Sequence, residues 1–159
     1  MRASPALETL KTDRSFRYLI GLYSTTFVHH VYGGIIYDSI ERIVLALVFS
    51  VVFAATAWLR RLERASRWAA YAYTGIVTVF WIGLIGTYEG GYNHALYVLL
   101  SVTGVSPQLA EALYPRPADG VAPDNAFFQA TGVLTLVVAL LVAFPVPRPR
   151  RSARSVAPA

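Results

Sequence analysis

The sequence predicts an all-α integral membrane protein, a four-transmembrane-helix bundle with short extra helices in the outer loop between spans 3 and 4. Three observations predict it. Hydrophobic residues make up 55% of the 159 and charged residues only 14%, where soluble domains average about 25% charged. The apolar residues gather into four runs, 16–37, 43–59, 69–88 and 126–144. Each is near the ~17–25 residues that a helix needs to cross the hydrocarbon core, and charge is confined to their ends. Only helices satisfy their own backbone across lipid when runs are this long.

The third observation is how the basic residues sort. Arg2, Lys11, Arg14 and Arg17 precede or open the first run. Arg60, Arg61, Arg64 and Arg67 lie between the second and third, and Arg148, Arg150, Arg151 and Arg154 follow the fourth. Only Arg42 and Arg116 fall on the other side. The positive-inside rule then places both termini in the cytoplasm. The expected location is the cytoplasmic (inner) membrane, with the 89–125 loop outside. Residues 1–145 form one membrane domain, and 146–159 a basic, disordered cytoplasmic tail.

At the start of the chain, Ser4-Pro5 suits the opening of a short interfacial helix. The first run has a long polar leader, two histidines and no A-x-A site after it, so it reads as a span and not as a signal peptide. The second run is apolar all round apart from Ser50 and Thr56 and suits lipid contact. The third holds Gly86-x-x-x-Gly90, a small-residue pattern that lets helices approach closely. Residues 92–104 either prolong that helix or fold back. Ser106, Pro107 and Pro115 have the positions of a cap, a first turn and a stop for one more short helix. Asp124 is placed to cap the fourth span.

Chemistry concentrates in one region. The net charge is +5 and cysteine is absent, which excludes disulfides, thiolate metal sites and cysteine-held clusters. The basic residues lie between apolar runs, so a lipid bilayer is the expected partner and nucleic acid is not. A homo-oligomer or a partner membrane subunit is also admitted.

The first span is the most polar, with His29, His30, Tyr37 and several hydroxyls, followed by Asp38 and Glu41. Helical spacing puts His30, Gly34, Tyr37 and Glu41 on one stripe. His29 lies about 100° from His30 on a helix, so both serve one site only if it sits between them. If one alone faces inward, the stripe favours His30. Gly33 and Gly34 leave room for a neighbouring helix or a cofactor.

Glu89, Asn93 and His94 stand where the third run ends, so all three histidines share the extracytoplasmic end. Glu89 and His94 are five apart and on a regular helix would face about 140° apart. Gly90 and Gly91 would bend the chain and let them converge. Gln129, one turn into the fourth span, completes the site or binds a ligand.

Imidazole and carboxylate together suit a transition metal: Zn, Fe, Mn or Cu. His30, Glu89 and His94 are the expected core ligands, with His29, Asp38 and Glu41 adding to them. Three alternatives stand beside this one. Haem b could be held by His30 and His94 as axial ligands. A metal-free acid–base pair could act on a lipid-like substrate. A structural or partner subunit would use its histidines only to join helices. No catalytic residue is assigned.

Reporter fusions at Ala159 and near Ala118 should localise to opposite sides of the membrane. Equal signals from the two would overturn the four-span reading.

Overall fold

The computed structural model describes residues 5–63, 65–114 and 125–144. These are all helix or short connection, with no strand among them. The helices are α1 (Pro5–Ile36), α2 (Ile40–Leu62), α3 (Arg67–Thr103), α4 (Pro107–Leu113) and α5 (Ala126–Ala143). The linker 115–124 with Asp124, Ser4, and the tail 146–159 lie outside the described residues.

Three helices, α2, α3 and α5, are long and apolar enough to cross a membrane. α1 has the length but carries His29, His30 and a run of tyrosines and hydroxyls that lower its hydropathy. Its helix is continuous from Pro5 and is not a short leader helix followed by a separate span.

α1 and α2 are joined by three residues. The amides of Tyr37 and Ser39 close the end of α1 on the carbonyls of Gly33 and Gly34, at 3.1 and 2.9 Å. Asp38 takes the left-handed conformation there, with φ 49°, a role that Asp tolerates better than most residues. The turn breaks the stripe expected to run from His30 to Glu41. Glu41 sits in the first turn of α2, exposed, and accepts a hydrogen bond from the Ser39 hydroxyl at 3.2 Å.

The third helix does not end at Tyr88. It runs on to Thr103, so residues 92–103 prolong it, and Gly104 stops it with φ 70°. From Ile76 to Leu96 it is wound as a π-helix, in which each amide bonds five residues back. The helix is unbroken at Gly90-Gly91. α4 begins as its sequence suggests: the Ser106 hydroxyl accepts from the Leu109 amide at 3.4 Å, with Pro107 in the first turn. The chain after α4 turns back on α3. Tyr92 donates to the Leu113 carbonyl, and Tyr114 donates to that of Tyr92. Asn125 caps α5, accepting from the Phe128 amide at 3.0 Å, and its side chain also bonds the Tyr32 hydroxyl of α1.

The largest interface is between α3 and α5, followed by α1 with α5 and α1 with α2. In its most apolar window α5 is 33% buried and α2 only 17%, which makes α5 the central helix and α2 the peripheral one. Val44, Leu47, Val48, Val51 and Trp58 of α2 are exposed. The two hydroxyls of α2 face inward: Ser50 meets the Tyr23 hydroxyl at 3.0 Å, and Thr56 accepts from the Trp81 indole at 3.1 Å. The core draws on all four long helices through Leu19, Leu22, Phe49, Trp81, Ile85, Ala139 and Val142.

Glycine sets how closely α3 meets α5. A methyl group at Gly90 would stand 2.6 Å from the Leu136 amide nitrogen and 3.0 Å from the Gly132 carbonyl oxygen, both backbone atoms. One at Gly86 would overlap Ala139. The Gly86-x-x-x-Gly90 pattern is therefore the α3 side of this interface.

Gly90→Ala should destabilise the protein by about 1–3 kcal/mol, because backbone cannot move aside as a side chain can. Gly75→Ala meets no atom within 4 Å and should be neutral or stabilising by up to about 1 kcal/mol. Denaturant unfolding in detergent compares them; equal effects would refute the close-approach role of Gly90.

Candidate metal centre

Four side chains meet between α1 and α3. The Nε2 atoms of His94, His29 and His30 lie 3.5, 3.8 and 4.0 Å from one oxygen of Glu89, Oε1. The histidines are 1%, 4% and 3% exposed for His29, His30 and His94. Only Glu89 keeps partial exposure, 20% of its side chain, so the carboxylate marks the accessible edge. Its other oxygen, Oε2, accepts from the Asn93 amide at 2.6 Å.

The π-winding explains how Glu89 and His94 come to face one way. Residues five apart are successive along a π-helix, as four apart are along an α-helix. The pair separated by about 140° on regular geometry is thus brought onto one face without a break. The glycines serve a different purpose, the approach of α5. Gly90 meets the α5 backbone, whereas a methyl group at Gly91 would stand 3.6 Å from the Leu136 side chain, an ordinary contact.

α5 orients two of the histidines. His94 Nδ1 lies 2.9 Å from Gln129 Oε1. A carbonyl oxygen can only accept, so Nδ1 carries the proton and Nε2 presents a lone pair. His29 Nδ1 lies 2.9 Å from the Thr131 hydroxyl. That hydroxyl donates to the Phe127 or Phe128 carbonyl, each at 3.0 Å, so its oxygen accepts from His29 Nδ1–H. Both rings therefore turn unprotonated Nε2 atoms toward Glu89 Oε1. Holding the far ring nitrogen in a hydrogen bond is how proteins commonly set a metal-binding histidine.

Neither nitrogen of His30, nor His29 Nε2, has a hydrogen-bond partner in the described residues. His30 is otherwise packed by rings, 4.8 Å from Phe49 and 5.3 Å from His29. Buried unpartnered acceptors cost about 1–3 kcal/mol each, and lone pairs facing a carboxylate oxygen repel it. A cation at the centre of the group reverses both effects.

His29, Glu89 and His94 each offer a ligand atom, and these atoms lie within 4.8 Å of one another. The group can hold a metal ion. Its composition corrects the ranking read from the sequence. His29 belongs to the tighter set and His30 stands at its edge, because the stripe along α1 takes no account of the Thr131 hydroxyl on α5. Both adjacent histidines nonetheless bring Nε2 to within 4.0 Å of the same Glu89 oxygen.

Asp38 and Glu41 are not in this group. Both are exposed, in and just after the α1–α2 turn. Tyr37 is half-buried beneath Arg42, whose guanidinium lies 5.4 Å from its ring centre and 4.9 Å from that of Phe128.

Phe128 packs against the centre. Its ring stacks on His29 at 4.0 Å and meets His94 at 5.1 Å. The room beside Gly33 is taken by Phe128, and that beside Gly34 by Ile43 and the Ser39 carbonyl. A helix-packing role accounts for these two glycines; no cleft for a porphyrin ring opens beside them. Gly132 is equally specific, for a methyl group there would overlap the His94 ring.

Phe128, Thr131 and Gly132 escape the sequence reading. Their one signal is that Gln129, Thr131 and Thr135 interrupt a span that is otherwise wholly apolar. Comparison with protein-family models, with curated proteins and with solved structures gives no match.

Gln129→Leu should destabilise the protein by about 1–3 kcal/mol by leaving the buried His94 N–H without an acceptor. Gln129→Glu keeps an acceptor and should lose less. If unfolding in detergent ranks the two the other way, the assigned proton on Nδ1 is wrong.

Proposed function

We propose that this protein is a four-span membrane protein that binds one transition-metal ion near the extracytoplasmic end of its bundle. One observation carries the reading: three imidazole Nε2 atoms converge on a single carboxylate oxygen at 3.5–4.0 Å, two of them held there through their far nitrogens. His29, Glu89 and His94 are the ligands, and His30 is the nearest additional donor. The donor set, nitrogen with one carboxylate and no sulfur, suits Zn, Fe, Mn or Cu(II). One carboxylate is too few for the di-metal centres of helical bundles, which use four.

The membrane topology rests on the 12-to-2 sorting of basic residues and on the three apolar helices. α1 is the remaining span, kept in the bundle by its contacts with α2 and α5. Its two histidines and Thr26 are buried against protein, as ionisable residues in a membrane are by default. The centre lies one to two turns below the outer ends of α1 and α5, with Glu89 toward the aqueous side. This position suits a protein that takes up, holds or uses a metal ion at the outer membrane surface.

The same groups carrying protons in place of an ion would form an acid–base relay. The unpartnered nitrogens of His30 favour that as the second reading.

Metal analysis of the detergent-purified protein separates the two. The expected result is one equivalent of ion per chain and no Soret band. His29→Ala, His94→Ala and Glu89→Gln should each abolish binding while the protein still folds. Asp38→Asn and Glu41→Gln should leave it intact. Gly132→Ala, which alters no ligand atom, should lower occupancy by displacing the His94 ring. Failure to take up any of the four metals after loading would overturn the metal reading; a Soret band would replace it with haem.

A further inference from the structure

At the opposite end of the bundle from the histidines, α1 and α2 enclose a cleft of about 600 Å3. Its wall is apolar: Phe16 and Ile20 from α1, Phe53 and Ala57 from α2. The rings of Phe16, Phe53 and Tyr23 lie nearly parallel in a row, with centres 6.4 and 4.3 Å apart, and give the wall a flat surface. Arg60 and Arg61 stand at one end of it.

The two arginines are not equivalent. The Arg60 guanidinium lies 4.7 Å from the Phe16 ring centre and 3.4 Å from a Glu63 oxygen, so it is braced and its charge partly answered. Arg61 is exposed and has no ion pair among the described residues. Among the described residues that line the cleft, two arginines stand against one carboxylate, Glu63, an excess of positive charge. Arg17, also exposed, adds to it at the same end of α1.

We propose that this cleft binds one anionic phospholipid, with an acyl chain along the aromatic wall and its phosphate at Arg61 and Arg60. The shape and charge agree on such a ligand. From Phe53 to Arg60 the helix rises roughly 10 Å, enough for the upper part of a chain to lie beside the rings while the headgroup reaches the guanidiniums. Basic pockets between membrane helices on the cytoplasmic side recognise anionic headgroups in this way, and arginine suits phosphate by its planar fork of donors. A zwitterionic lipid would place its own cation near the same arginines. Free phosphate would leave the wall uncovered. The inference concerns the other end of the bundle and does not rest on the metal reading.

Native mass spectrometry of the full chain in mild detergent tests it. The probes are phosphatidylglycerol and phosphatidylcholine with identical acyl chains, and glycerol phosphate with no chain. Phosphatidylglycerol should be retained preferentially, and glycerol phosphate should not bind. Arg61→Gln should weaken phosphatidylglycerol about fivefold, the effect of one arginine near an anionic surface, and Arg61→Glu should weaken it further. Because Arg61 is exposed, both variants should remain monodisperse with wild-type helicity. Ala57→Leu, which narrows the cleft without touching its charge, should also reduce retention. Equal binding of the two lipids, an unchanged affinity in Arg61→Gln, or binding of glycerol phosphate as strong as that of the lipid would each overturn the proposal.

Discussion

The close approach of α3 to α5 is the constraint on which the rest of the structure depends. Gly90 brings α3 against the backbone at Leu136 and Gly132, and Gly86 brings it against Ala139. In lipid, helices gain little from burying apolar surface, so association rests on packing and on hydrogen bonds between helices. Small residues supply the packing here. The same notch creates the site: with no side chain at Gly132, the His94 ring enters the space against α5 and reaches Gln129. Two turns of helix thus hold the bundle together and aim a ligand.

Among the described residues, many polar groups buried between the helices are paired. Tyr23 with Ser50, Trp81 with Thr56, and Asn125 with Tyr32 are paired across helices. Thr56 and Thr135 also return their hydroxyl protons to their own helix. The unpartnered nitrogens belong to His29 and His30, next to Glu89. Among the described residues, the buried histidine nitrogens without a hydrogen-bond partner thus face one carboxylate. Thr26, buried one turn below, also has its hydroxyl unpartnered.

The two ends of the bundle differ in chemical character. At the histidine end, nitrogen donors and one carboxylate face inward beside Phe128 and Arg42, suited to a cation. At the other end, guanidiniums stand over aromatic rings, suited to an anion with an apolar tail. α1 contributes to both, with His29 and His30 at one end and Phe16 and Ile20 at the other.

By itself the sequence determined the helices and the region of the chemistry. Apolar runs and the punctuation of Ser106 and Pro107 are local signals, and the structure has helices where they place them. Gathering all three histidines at one end needed only the direction of each run. Tertiary structure alone decided which atoms meet. Counting around a regular helix separates Glu89 from His94; the π-winding from Ile76 to Leu96 joins them, and the regular count of 3.6 residues per turn does not anticipate it. Extending the α1 stripe to Glu41 assumed an unbroken helix, and the turn at Asp38 ends it. The preference for His30 over His29 considered α1 in isolation, whereas Thr131, 102 residues away, holds His29. Periodicity along one helix reports which residues share a face. The partner that turns a ring about its own axis lies on another helix, and only the packed bundle identifies it.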